Sequence, residues 1–232
     1  MPFLNVDIFD DLPLRLENSV NPYLKLLTQT RAEDSLPLKF GKELQKFRGH
    51  WREFFSAKLN KPVDKLILEI GVHTGKVIRN LAVDNPVQAF IGMDITLKRV
   101  VVSAQRLKDA GADNALIVLG NAKFLSRLFA ERELDGIVVF FPDPWTKKSN
   151  QLNNRLINLE FCQQMQPILS ERGFFWLKTD CQNYFKQTQA SLLSLNFKTL
   201  TANPFGQPYE SVFERRFKDQ GQASYDGTWQ KI

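Results

Sequence analysis

The chain has 232 residues, 43% of them hydrophobic, and this is enough to bury the core of one domain with modest additions. Its net charge of +6 suits a polyanionic partner, although a solvated basic surface would look the same, and no apolar run is long enough to span a membrane. Two cysteines and two histidines exclude a disulfide framework and show no metal-ligand spacing, and the acidic start does not resemble a signal peptide. We therefore expect a cytoplasmic protein without a metal.

The first forty residues are irregular. Prolines at positions 2, 13, 22 and 37 predict that residues 1–40 form an N-terminal extension, partly mobile, and that residues 41–232 form a single domain. At the start of that domain, aromatic residues and leucine recur at helical intervals between Phe40 and Phe55. This spacing predicts one helix that packs its apolar face against the core.

From Lys65 onward, short apolar runs alternate with helical patterns. The runs "KLILEIG", "AFIGMDI", "NALIVLG", "LDGIVVFF" and "GFFWLKTD" are predicted strands, with predicted helices between them. This alternation predicts an α/β fold with a mostly parallel central sheet and helices on both faces. Ligands of such sheets bind beyond the carboxyl ends of the strands, so the residues that follow each strand are the functional candidates.

The first two strand ends favour a cofactor that contains adenosine. Glu69 and Gly71 close the first strand, and Gly75 opens the next helix, a turn that lets a ligand approach the backbone closely. Asp94 ends the second strand about twenty residues later, where a carboxylate can bind both hydroxyls of a ribose. Methyl-donor and nicotinamide cofactors share this geometry, and the absence of G-x-G-x-x-G counts modestly against nicotinamide.

Further candidates follow the third strand. Asn121 and Ala122 lie where an adenine ring would lie, and Asn121 is equally suited to cap a helix.

The fourth and fifth strands lead to two carboxylates. Pro142 and Pro144 restrict the backbone around Asp143, which aims its carboxylate at low entropic cost. The fifth strand ends in "LKTDC", which brings Asp180 to the same rim. We therefore expect two carboxylates in one crevice.

Several of these segments together resemble one family. "FFPDPWTKK", "LEIGVHTG", "FIGMDI", "GNA", "KTD" and "YESVFERRFKDQGQ" resemble motifs of the tRNA (guanine-N(7)-)-methyltransferases, also called TrmB, from roughly Lys65 to the C-terminus. The resemblance implies a Rossmann-like class I methyltransferase fold, S-adenosylmethionine as cofactor, and methylation of guanine N7 in the variable loop of tRNA. It implies cofactor binding by Glu69, Gly71, Gly75, Asp94, Asn121 and Ala122, catalysis by Asp143, and substrate binding by Asp143, Lys147, Asp180, Ser211 and Glu214.

Two departures from the family motifs keep alternatives open. The first is "SNQLNN", which replaces most of the basic run that follows the Pro-Asp-Pro-Trp motif and leaves Lys147, Lys148 and Arg155 as the expected phosphate contacts. The second is His73, which replaces a glycine of the cofactor loop. A second reading is therefore a divergent family member that binds RNA or cofactor without this activity, and a third is a nicotinamide-dependent oxidoreductase. Ser211 and Glu214 also have the spacing of a helix capping box. The sequence leaves monomer and homodimer open.

Overall fold

The computed structural model describes residues 22–146 and 154–232. Its strands are β1 (Leu38–Phe40), β2 (Leu66–Ile70), β3 (Ala89–Asp94), β4 (Ala115–Leu119), β5 (Leu134–Phe140), β6 (Leu169–Thr179), β7 (Phe197–Leu200) and β8 (Tyr225–Lys231). Its α-helices are α1 (Pro22–Glu33), α2 (Trp51–Leu59), α3 (Lys76–Asp84), α4 (Leu97–Asp109), α5 (Leu125–Leu128), α6 (Leu159–Met165), α7 (Gln182–Ser194) and α8 (Val212–Asp219). Within these two stretches, no helix has the length and apolar character needed to cross a bilayer.

All eight strands join one sheet in the order β1-β4-β3-β2-β5-β6-β8-β7. The six strands from β1 to β6 run parallel, whereas β8 pairs antiparallel with both β6 and β7. The expected mostly parallel α/β sheet is confirmed. The insertion of the last strand between β6 and β7 goes beyond what the sequence patterns predicted.

The strands separate two layers of core because successive side chains point to opposite faces. In β2, Leu66, Leu68 and Ile70 pack on one face with side chains of α2, α6 and α7. Ile67 packs on the other face with side chains of α3 and α4. Helices therefore cover both faces, as expected, and the loops at the carboxyl ends of the parallel strands are left to form a site.

The N-terminal segment contributes to this sheet. Within residues 22–40, α1 places Leu27 in the core, and β1 pairs parallel with β4. The boundary at residue 40 between an extension and a single domain stays a prediction.

The helix predicted from Phe40 onward is divided in two. A 3-10 helix, Gly41–Phe47, is followed by α2, and Gly49 between them has a φ of +84° that an α-helix cannot include. The Glu133 carboxylate accepts the backbone N–H groups of Gly49 and Trp51 at 2.9 and 3.0 Å, so a residue distant in the chain caps α2. The prediction of one continuous helix was wrong because helical periodicity does not reveal such a partner.

Candidate active site

The loop between β2 and α3 is shaped by three residues with positive φ. Gly71, His73 and Gly75 have φ values of 82°, 50° and 71°. A Cβ added at Gly75 would lie 2.8 Å from the Cα of Ser103, so glycine is required for α3 and α4 to approach this closely. A Cβ added at Gly71 would meet no atom of the described residues within 4 Å, so the backbone at Gly71 faces open space.

Glu69 lies in a small pocket beside this loop. Its side chain is buried, and Oε2 has no hydrogen-bond partner among the described residues. Burial raises the pKa of Glu69 well above its usual value; a hydrogen bond from the Ile78 backbone partly offsets this, and the Asp94 carboxylate raises the pKa further. A buried, unpaired oxygen is unfavourable, so a ligand that donates a hydrogen bond here would gain affinity.

Asp94 connects the loops that follow β2 and β3. Its Oδ2 accepts the His73 N–H at 3.3 Å, and its Oδ1 accepts the Thr96 N–H at 2.9 Å. The guanidinium of Arg99 lies 3.7 Å from Oδ2. A carboxylate has about four acceptor positions, so Asp94 keeps capacity for further donors such as ribose hydroxyls. Its role toward a ribose stays a prediction.

Asn121 and Ala122 follow β4. The Asn121 side-chain oxygen accepts the Lys123 N–H at 3.0 Å, so Asn121 caps the short 3-10 helix Ala122–Phe124. The capping interpretation is thereby confirmed, and Ala122 is buried behind it. Contact of these two residues with an adenine stays a prediction.

Asp143 is held in a tight loop after β5. Phe141 and Trp145 both adopt positive φ, 53° and 46°, a conformation uncommon outside glycine and found where surrounding contacts enforce it. The Asp143 Oδ1 accepts the Trp145 N–H at 3.1 Å, while the residue itself is exposed. The carboxylate is therefore fixed in direction and still accessible to a substrate.

Asp180 reaches the same rim from the neighbouring strand. β5 and β6 are paired in parallel with Phe140 opposite Lys178, so Asp143 and Asp180 follow adjacent strand ends. Asp180 is partly exposed. The sheet thus brings the two predicted carboxylates to one edge. Lys147 and Lys148 lie outside the described residues.

Ser211 and Glu214 open α8. The Ser211 hydroxyl accepts the Glu214 N–H at 3.0 Å, which is the N-cap half of the predicted capping box. The other half is not formed among the described residues, because the Glu214 side chain does not accept the Ser211 N–H. The Glu214 carboxylate is occupied elsewhere: Oε2 lies 2.9 Å from the buried ammonium of Lys178, and Oε1 lies 3.2 Å from Lys218. In this structure Glu214 therefore fastens α8 to β6, and its role toward the substrate stays a prediction.

Lys178 is a site-forming residue that the sequence analysis missed. Its side chain is 2% exposed, and Nζ also donates to the Tyr209 carbonyl at 3.0 Å and lies 5.0 Å from the Phe140 ring centroid. The available signal was a cation inside the apolar strand "GFFWLKTD", because a buried lysine requires a partner.

Arg155 was expected at a phosphate, and this expectation was wrong. The residue is 4% exposed; Nε donates to the Pro144 carbonyl at 2.8 Å, Nη1 donates to Gln187 at 2.7 Å, and the guanidinium lies 4.7 Å from the Tyr184 ring centroid. Since Pro144 follows Asp143 directly, the buried Arg155 side chain stabilises the Asp143 loop from the protein interior. Its guanidinium is therefore not available to a phosphate.

The pocket beside Glu69 is bordered by Gly71, His73, Phe140, Ser211 and Phe213. The His73 ring lies 4.7 Å from the Phe213 ring, so the cofactor loop and α8 meet over this pocket. Burial lowers the pKa of His73, the Arg99 charge lowers it further, and the Asp94 carboxylate opposes both. His73 is therefore favoured in its neutral form.

The pocket's chemistry fits the predicted cofactor. The unpaired oxygen of Glu69 suits the ammonium group of S-adenosylmethionine, and the backbone beside Gly71 leaves room for a close approach. In the described part of the chain, no cluster of three or more histidine, cysteine, aspartate or glutamate side chains could hold a metal ion.

The family comparison matches most of the chain. Residues 63–226 match the family described as "Putative methyltransferase". A tRNA (guanine-N(7)-)-methyltransferase of Streptococcus agalactiae serotype III is 31% identical over 184 residues, which are 77% of this chain and 84% of the relative. A protein of the same name from Geobacillus kaustophilus is 35% identical over 150 residues, 65% of this chain and 66% of the relative.

Structural comparison supports the same fold class. The 16S rRNA methyltransferase KamB superposes with a TM-score of 0.56 at 15% identity, covering 77% of this chain and 91% of that chain. At this identity the likeness concerns the fold alone, and it confirms the expected Rossmann-like methyltransferase architecture. The family match favours an S-adenosylmethionine-dependent methyltransferase over the nicotinamide-dependent alternative. The chain belongs to the tRNA (guanine-N(7)-)-methyltransferase family.

Proposed function

We propose that this protein methylates N7 of guanine in the variable loop of tRNA, with S-adenosylmethionine as methyl donor. The observation that carries the proposal is the Asp143 carboxylate, which is exposed and fixed in direction at the sheet edge beside the Glu69 pocket. The relatives that match most of the chain bear the name of this activity.

The donor would be held by groups at the carboxyl ends of β2, β3 and β4. Glu69 would accept a hydrogen bond from its ammonium group, Asp94 would accept from its ribose hydroxyls, and Asn121 would meet its adenine. S-adenosylmethionine, when bound, supplies a methyl group on a positively charged sulfur that the lone pair of guanine N7 can attack. Guanine N7 carries no proton, so the protein needs no general base and contributes mainly by positioning.

The two rim carboxylates can recognise guanine by its donor groups. Asp143 and Asp180 would accept hydrogen bonds from the ring N1–H and the exocyclic amine, a pair of donors that adenine does not present in the same place. Methylation gives the purine a positive charge, so these donors become stronger as the reaction proceeds. Hydrogen bonds to fixed carboxylates are then stronger in the transition state than in the bound substrate, and this difference accelerates transfer.

The test is a methyl-transfer assay with labelled donor and bulk tRNA that lacks the modification. We expect label in tRNA, and no label when guanine is replaced by 7-deazaguanine, which has no N7 lone pair. Asp143→Ala should reduce transfer by about 100-fold while calorimetry shows unchanged donor affinity. Asp113→Asn, which alters an exposed carboxylate before β4, is the matched control and should transfer at the wild-type rate.

Two results would contradict this proposal. Transfer by Asp143→Ala near the wild-type rate would show that Asp143 is not the guanine contact. Donor binding without any label in tRNA would instead support the divergent member that has lost this activity.

A further inference from the structure

Helix α8 lies between the cofactor pocket and the Asp143 loop. At its start, Phe213 borders the pocket and meets the His73 ring. One turn later, the Phe217 ring lies 5.5 Å from the ring of Phe141. Asp143 follows Phe141 by two residues, a span of at most about 7 Å. An RNA that places a guanine on Asp143 therefore passes close to α8.

One side of α8 is fixed by charge pairs of Glu210 and Glu214 with lysines. Glu214 pairs with Lys178 and Lys218, and Glu210, just before the helix, lies 3.8 Å from Lys76 and 3.3 Å from Lys218. The orientation of the helix relative to the sheet is thereby set. The carboxylates nearest to the helix start are engaged by lysines on this side.

The outer face of α8 presents Val212, Arg215, Arg216 and Asp219, which are spaced as one side of a helix and are all exposed. Among the described residues, neither arginine side chain has a hydrogen-bond or ion-pair partner. Asp219 lies one turn beyond Arg215 but forms no pair with it in this structure. The result is a pair of exposed guanidinium groups that form no ion pair with the described residues, on a helix that borders the site.

We propose that Arg215 and Arg216 bind phosphates of the tRNA that flank the target guanine. This inference rests on the proposed function and adds to it the surface on which the RNA lies. Guanidinium groups match phosphate oxygens in a bidentate manner, and such contacts orient the nucleic acid without reading its sequence. Phosphate contact by α8 would also supply cations that the "SNQLNN" stretch of the sequence does not carry.

The experiment compares two double variants of the full chain. Arg215→Gln/Arg216→Gln removes the pair on α8. Lys108→Gln/Lys198→Gln removes two exposed cations from the amino edge of the sheet, at the end of α4 and the start of β7, and serves as the matched control. Binding to bulk unmodified tRNA is measured over a salt series, and donor binding by calorimetry verifies that each variant retains its pocket.

Each phosphate contact contributes about 0.7 to the slope of log K against log salt for a single strand, so the α8 variant should lose about 1.4 from that slope. Between about 50 and 200 mM salt, wild-type affinity should then fall about sevenfold more than that of the α8 variant. The control should keep the wild-type slope. At saturating tRNA the α8 variant should retain its kcat with a raised KM.

An α8 variant with the wild-type slope, in a protein that methylates tRNA, would overturn this inference and leave the proposed function standing. A wild-type protein that neither binds nor methylates tRNA would overturn both.

Discussion

The buried pair of Lys178 and Glu214 should be a main determinant of how firmly α8 is attached to the sheet. The two side chains are 2% and 8% exposed, and their charged atoms lie 2.9 Å apart. Replacing Lys178 with methionine leaves the Glu214 carboxylate without its buried partner. Breaking a buried pair from one side destabilises a protein by about 3–5 kcal/mol.

The structure places Lys178→Met at the lower end of that range. Lys218 lies 3.2 Å from the other oxygen of Glu214 and would still offset part of its charge, although it is 54% exposed and screened by solvent. We therefore expect a loss of about 3 kcal/mol. For a chain of this length, such a loss lowers Tm by about 6–12 °C.

The assay is urea unfolding followed by circular dichroism, with a double-mutant cycle. The variant Lys178→Met/Glu214→Gln should be more stable than Lys178→Met alone, because it has no uncompensated buried charge. Lys198→Met, at an exposed lysine of β7, is the control and should lie within about 0.5 kcal/mol of wild type. A loss below about 0.5 kcal/mol for Lys178→Met, or a double variant no more stable than the single one, would refute the reasoning.

Three further predictions concern the loops around the site. Gly75→Ala should lose about 2 kcal/mol or more of unfolding free energy in urea, because its Cβ would meet Ser103. Gly71→Ala should lose only about 1 kcal/mol, because its cost comes from the positive φ alone. Equal losses for the two variants would contradict the clash at Gly75. Burial raises the pKa of Glu69 in the folded state. The stability of the wild type should therefore fall relative to that of Glu69→Gln as pH rises from the usual carboxyl pKa of 4.5 through the raised folded pKa, and donor affinity should rise over the same interval. A difference in unfolding free energy that does not change with pH would argue against this role of Glu69. Arg155→Gln should reduce methyl transfer by about tenfold, with unchanged donor affinity in calorimetry, because the Pro144 carbonyl loses the hydrogen bond from Arg155 that holds the Asp143 loop. An unchanged transfer rate would show that Arg155 does not position this loop.

The sequence by itself determined the features that depend on neighbouring residues. Alternating apolar runs predicted the parallel strands, because a strand buried between two helical layers has to be apolar on both faces. The strand ends then indicated Glu69, Asp94, Asp143 and Asp180, since parallel strands bring their carboxyl ends to one edge. The N-cap at Ser211 could likewise be predicted from the sequence, because its hydrogen-bond partner lies only three residues away.

Tertiary structure alone decided the features whose partners are distant in the chain. Glu133 divides the helix predicted from Phe40, and Glu214 is directed to Lys178 instead of an open crevice. Arg155, expected at a phosphate, is buried behind Pro144 because its hydrogen-bond partners come from a loop and a helix far apart in the sequence. Local periodicity and steric preference act over a few residues. The partner of a buried charge instead depends on how the whole sheet packs, so it can be identified only in the folded chain.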